Sequence, residues 1–253
     1  MTSRVFTGLM IVIACSGTSQ AAIFGEDDRI AADNELGSRY SPIGIVYSKQ
    51  ARQYSTGFLV DNCHVLSVRH IFDEESYVEG KVLSFSVGRR TVRGEWTSKG
   101  TVVASGGFRE QSQSRGGDWI LLRLNNCLGE RFGYLNLDSA PISPQIDKQQ
   151  FESAGFPNDK SLTRGITLDP SCYVRAQGAN EILHDCASKP GNSGSPIFQE
   201  AMVDGKLRLD VFAMHTAGVP VKGVRQFSLA YAGIAIPMRS LVPQISKYLR
   251  VQN

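Results

Sequence analysis

Apolar residues along this chain of 253 residues come in short bursts divided by turn-forming residues. Ile43–Tyr47, Gly57–Val60, His64–Val68, Leu83–Val87, Ile120–Leu124, Pro196–Phe198, Leu207–Met214 and Tyr231–Ile236 are the clearest. Bursts of about four to eight residues rich in Val, Ile, Leu and Phe read as strands. Their frequent recurrence predicts an all-β sandwich or barrel. One stretch has helical spacing instead. After Pro237, apolar residues fall at Leu241, Val242, Ile245, Tyr248 and Leu249, which predicts a C-terminal helix packed on the core. Pro243 is expected in its first turn, where the missing N–H costs nothing. No internal repeat stands out. The best boundary is the Pro/Ser-rich segment 138–145, which would divide a unit over 22–137 from a second over 146–237, with the helix over 238–253.

Composition narrows the class. Apolar content is 42%, and 25 glycines stand against 10 prolines, which suits a turn-rich globular fold. A net charge of +3, spread along the chain, gives no reason to expect nucleic acid or a membrane surface as partner. The first 21 residues read as a signal peptide. Arg4 is followed by the short apolar core Val5–Ala14 and by small residues at Ser19-Gln20-Ala21. That core is too short to span a bilayer. Secretion or export to a periplasm is the expectation; lipid anchoring through Cys15, after Val12-Ile13-Ala14, is the alternative. Removal of the signal leaves Cys63, Cys127, Cys172 and Cys186, an even count that suggests two disulfides with three possible pairings. Cys172 and Cys186 flank a hairpin-like segment and the other two lie in the first half, so Cys63–Cys127 and Cys172–Cys186 are expected. No cysteine or histidine pair has zinc-ligand spacing, and no metal or cofactor is expected.

The chemistry is concentrated in Gly191-Asn192-Ser193-Gly194-Ser195-Pro196. Glycines flanking one serine let a substrate carbonyl approach the backbone. The amides of Gly191 and Ser193 can then converge on a developing oxyanion. A serine hydroxyl needs a base, and the base needs an acid to orient it. Of four histidines, His70 has the best context, directly after a predicted hairpin over Gly57–Val68 with its turn at Asp61-Asn62. His64 lies inside that hairpin, and His184 sits beside Cys186; both read as structural. Asp118, after Gly116-Gly117 and before Trp119-Ile120-Leu121-Leu122, is placed to open a buried strand and hold its carboxylate fixed. Asp73, Glu74 and Glu75 form a charge run expected to face water.

In order, the His70, Asp118 and Ser193 motifs resemble those of chymotrypsin-like serine endopeptidases of the bacterial type. The resemblance implies two six-stranded antiparallel Greek-key barrels. His70 and Asp118 would come from the first, Ser193 from the second, with the site in the cleft between them. Asn192 departs from the digestive members, which carry an aspartate there to pair with a freed N-terminal amine. The start Ile23-Phe24-Gly25-Glu26-Asp27-Asp28-Arg29 and the run Val211–Gly218 are similar to those of bacterial glutamyl endopeptidases. That branch implies a specificity pocket lined by His215 and Ser188, both able to donate hydrogen bonds to a substrate carboxylate. Ala187 falls where trypsin-like enzymes need an acidic floor, which argues against Arg or Lys preference; Lys189 lies nearby.

The sequence thus favours a monomeric, secreted endopeptidase acting on protein or peptide substrates. The alternative is a protease fold used only for binding, against which the presence of all three residue types counts. An esterase is disfavoured because Ser195 stands where Gly-x-Ser-x-Gly needs its last glycine.

Overall fold

The computed structural model describes residues 23–72, 77–88, 96–107, 117–141, 148–159, 165–218 and 224–249. The expected signal peptide with Cys15, the Asp73–Glu75 run, Gly116, and much of the 138–145 segment lie outside these ranges.

Two short strands come first, β1 (Ile23–Phe24) and β2 (Ile30–Ala32). The first barrel follows, from β3 (Ile43–Ser48), β4 (Gln53–Leu59), β5 (His64–Ser67), β6 (Val82–Val87), β7 (Trp96–Ser105) and β8 (Ile120–Leu124). It closes in the order β3-β4-β5-β8-β7-β6. Every pairing within it is antiparallel. A short helix α1 (Gly129–Phe132) and β9 (Asn136–Leu137) lead to the second barrel. That barrel contains β10 (Gln150–Gly155), β11 (Ile166–Gln177), β12 (Ile182–His184), β13 (Pro196–Val203), β14 (Lys206–Ala217) and, after β15 (Val224–Arg225), β16 (Gly233–Pro237). The order β10-β13-β14-β16-β12-β11 is closed by the pairing of β10 with β11. Taken around each ring in chain order, the two barrels have the same connectivity, although no sequence repeat announces it.

Strand alternation explains the layers. On β8, Ile120, Leu122 and Leu124 fill the first barrel with Val65, Phe85 and Val102. Leu121 faces the other way, into an apolar layer shared with Phe58, Leu66, Phe156, Phe198 and Met214. That shared layer draws on both barrels and seals them together, which is why Leu121 is apolar on the face of β8 where Arg123, further along, is exposed. The second barrel has its own core around Phe151, Val174, Ile182, Ile197 and Ala235.

Helix α2 (Met238–Leu249) buries Met238, Leu241 and Ile245 in the shared layer. The sequence places Pro243 in the first turn; the helix begins at Met238, so Pro243 lies in the second turn. A proline there forfeits one backbone hydrogen bond. The buried stripe, rather than backbone bonding alone, holds the helix in place. Both disulfides join the expected partners, Cys63 with Cys127 and Cys172 with Cys186.

Candidate active site

The pairing of β5 with β8 sets Ser67 opposite Ile120. The same register brings the residues after Ser67 to those before Ile120. His70 sits in a single 3-10 turn, Arg69–Ile71, just beyond β5. Its Nδ1 lies 2.6 Å from Asp118 Oδ2, and its backbone N–H donates to Asp118 Oδ1 at 2.9 Å. One carboxylate thus fixes both the ring and the backbone of the same histidine. The Asp118 side chain is 6% exposed and the His70 side chain 25%, so the acid is enclosed and the ring is partly open to solvent.

The turn carrying Ser193 is held by its own amides and by the first barrel. The N–H groups of Asn192, Gly194 and Ser195 donate to the carbonyls of Lys189, His215 and Asn192. Gly191 and Gly194 have φ of +99° and +90°, a region that favours glycine. A Cβ at Gly191 would overlap the Phe156 carbonyl, and one at Gly194 would overlap the Thr56 carbonyl. Asn192 is buried, with Oδ1 accepting the Lys189 N–H at 3.1 Å and Nδ2 lying 3.4 Å from Ser195 Oγ. Its side chain serves the turn itself. Ile23 and Phe24 instead run parallel to Val224 and Arg225.

His215, on β14, is buried, and its carbonyl receives the Gly194 N–H at 2.7 Å. Burial pushes its pKa down to about 4, with the neighbouring His70 adding to the fall and Asp118 opposing it. The sequence alone reads His184 as structural, but its Nε2 lies 3.0 Å from His215 Nδ1 in a fully buried edge-on pair. The Cys186 N–H points at His184 Nδ1 at 3.1 Å. That nitrogen is therefore an acceptor, which puts the proton of neutral His184 on Nε2. Nε2–H then donates to His215 Nδ1, leaving the His215 proton on Nε2. Burial holds His184 well below its usual pKa, with His215 adding to the fall, so this neutral tautomer is the one present at neutral pH. Only a Cys-His neighbourhood hinted at His184 in the sequence; the 31-residue separation hid its partner.

The backbone is pinned just before Ser188. Asp169 Oδ2 accepts the Ala187 N–H at 2.6 Å, and the Cys172–Cys186 disulfide ties the preceding residue to β11. Asp169 is buried, which raises its pKa to about 6. Ser188 itself is 4% exposed. His64, in contrast, pairs with Asp61 at 2.7 Å within the hairpin turn and is buried there, a structural arrangement.

Among the described residues, the one His/Cys/Asp/Glu group close enough to hold a metal is Asp169 with Cys172 and Cys186. Both cysteines are spent on the disulfide, so the group does not fit a metal. No helix among the described residues is long and apolar enough to cross a membrane.

No curated protein sequence matches the chain. A solved structure described as that of a Glu endopeptidase in complex with MPD aligns with a TM-score of 0.68, covering 91% of this chain and 100% of its own, at 17% identity. That likeness is one of fold. The trypsin family model matches residues 37–218, a span that takes in His70, Asp118 and Ser193. The chain therefore belongs to the trypsin family, the chymotrypsin-like serine endopeptidases.

Proposed function

We propose that Ser193 is the nucleophile, His70 its general base and Asp118 the group that orients the base. The observation that carries this reading is the pair of hydrogen bonds that the Asp118 carboxylate accepts from the ring and the backbone of His70. With Nδ1–H donated to Asp118, the lone pair of His70 sits on Nε2. Nε2 takes the Ser193 Oγ proton as Oγ attacks the scissile carbonyl. The N–H groups of Gly191 and Ser193 stabilise the oxyanion. The imidazolium then returns the proton to the leaving amine, and an acyl-enzyme forms. Water, deprotonated by the same Nε2, releases the acid and regenerates Ser193.

The same proposal extends to specificity and location. His215 presents an N–H at Nε2, fixed by His184, and with the Ser188 hydroxyl it would bind a substrate carboxylate through two hydrogen bonds. Neutral donors in a buried pocket favour Glu before the scissile bond. The chain acts after export, consistent with its two disulfides.

Digesting a diverse peptide mixture with the protein and with its Ser193→Ala variant, and mapping cuts by mass spectrometry, tests each part. Cuts after Glu that vanish in the variant are expected. Cuts after other residues would remove the pocket and keep the triad. Equal cutting by both proteins would overturn Ser193, and no cutting by either would favour a binding role.

A further inference from the structure

The turn that carries Ser193 belongs to the second barrel, yet one residue of the first barrel holds two of its carbonyls. Thr56, on β4, is fully buried. Its backbone N–H is shared between the carbonyls of Ser193, at 2.8 Å, and Gly191, at 3.1 Å. Its hydroxyl donates to the same Gly191 carbonyl at 2.8 Å. That hydroxyl also accepts the Phe156 N–H, just past β10, at 3.0 Å. Its carbonyl in turn accepts the Ser67 hydroxyl at 2.7 Å, and Ser67 lies three residues before His70.

We propose that the Thr56 hydroxyl is a positioning group that sets the oxyanion-binding amides, by clamping the Gly191 carbonyl from across the barrel boundary; this rests on the assignment of Gly191 and Ser193 above. Gly191 has two faces. Its N–H shares a peptide plane with the Pro190 carbonyl, which accepts the Asn158 N–H at 2.8 Å, and its own carbonyl lies in the next plane, so holding that carbonyl fixes how the chain turns from the Gly191 amide toward the Ser193 amide. With φ at +99° this residue has more freedom than any other type would have, so its orientation needs an outside restraint. Thr56 supplies two donors to that carbonyl, one from the backbone and one from the side chain. The side-chain donor is itself fixed by the Phe156 N–H, so it cannot rotate away. Gly155 leaves the room required, since a Cβ there would press on both Thr56 Oγ1 and Ser195 Oγ.

A residue that only stapled the barrels would change stability and the active fraction. A positioning residue changes the stabilisation of the tetrahedral state while leaving substrate binding alone. The test compares the parent with Thr56→Val, which keeps shape and loses the hydroxyl, and Thr56→Ser, which restores it. Active sites are counted first with a fluorophosphonate, and all rates are expressed per labelled site. Thr56→Val is expected to lower kcat about tenfold or more with KM near the parent value, as for a weakened oxyanion contact. It should also weaken a peptide aldehyde, which forms a tetrahedral adduct, by a similar factor, and leave product inhibition unchanged. Thr56→Ser should recover most of both. Should Thr56→Val fail to fold, Thr56→Cys, with a weak donor of similar size, carries the same expectation.

Parental kcat per site in Thr56→Val, or in Thr56→Cys if it stands in, would overturn the proposal. So would equal impairment of Thr56→Ser, or a loss seen in KM alone. A parent that the probe does not label would overturn the assignment of Ser193 itself, and this proposal with it.

Discussion

His184 Nε2 lies 3.0 Å from His215 Nδ1, and both rings are buried. Together with the Cys186 N–H on His184 Nδ1, this contact dictates which nitrogen of His215 carries its proton. A backbone amide thereby sets the polarity of a side chain 29 residues further along the chain, counted from Cys186 to His215. Neither ring needs a positive charge to present a donor.

Removing His184 should loosen that control. In His184→Ala, His215 can place its proton on either nitrogen, and the ring loses its edge-on support. Steady-state kinetics should show KM for Glu substrates raised by about tenfold, the cost of one weakened hydrogen bond to a charged group. Fluorophosphonate labelling of Ser193 should be unchanged. An unchanged KM would mean that His215 is oriented without His184.

The same pair depends on a missing side chain. A Cβ on Gly233 would lie within 2.9 Å of three His184 ring atoms. Gly233 pairs with His184 across β12 and β16, so neither backbone can step aside cheaply. Gly233→Ala should reproduce the kinetic defect of His184→Ala and lower stability by about 1–3 kcal/mol through overpacking. Chemical denaturation beside the kinetics checks both halves.

Asp169 should leave a mark on the pH dependence of stability. Its pKa rises from 3.8 to about 6 on folding because burial disfavours the carboxylate. The folded state therefore binds its proton more tightly than the unfolded chain. Stability from this group is present below about pH 4 and is lost as pH climbs through about 6, a change of roughly 3 kcal/mol. His215 acts in the opposite sense. Its pKa is pushed from 6.5 down to about 4, so stability is present above 6.5 and lost as pH falls toward 4. Denaturation of the parent and of Asp169→Asn from pH 4 to 7 separates them, since the histidine contribution is common to both. The parent should lose stability relative to the variant as pH rises; parallel curves would show that Asp169 keeps an ordinary pKa.

The two disulfides close loops of very different length, with sequence separations of 64 for Cys63–Cys127 and 14 for Cys172–Cys186. Chain entropy predicts costs of about 4 and about 3 kcal/mol for their removal as paired alanine variants. Activity should separate them more sharply than stability. Cys186 lies in the segment that orients His184 and Ser188, so its removal should raise KM for Glu substrates. The Cys63–Cys127 bond sits at the far end of β5 from His70, so its loss should leave kcat/KM at the parent value in the folded fraction.

Much of this protein was written locally. Short apolar bursts between turn residues, as in β6 and β8, specified strands, because four to eight apolar residues are enough for a buried strand and too few for a buried helix. The i, i+3, i+4 spacing after Pro237 specified the C-terminal helix, because residues so spaced share one helix face. Gly-Asn-Ser-Gly-Ser-Pro, a histidine after a hairpin and an aspartate before an apolar strand marked the candidate triad, since each must sit at a strand end or tight turn whose signals are local. What closed over long distances was settled only by the tertiary structure. The shared connectivity of the two barrels, the meeting of His184 with His215, the fastening of Ala187 by Asp169 and the reach of Thr56 across to Gly191 all depend on strand register and barrel closure. Those follow from the packing of whole sheets, and no window of sequence contains both partners. A histidine beside a cysteine or a threonine in a strand looks ordinary until the fold supplies the group on its other side.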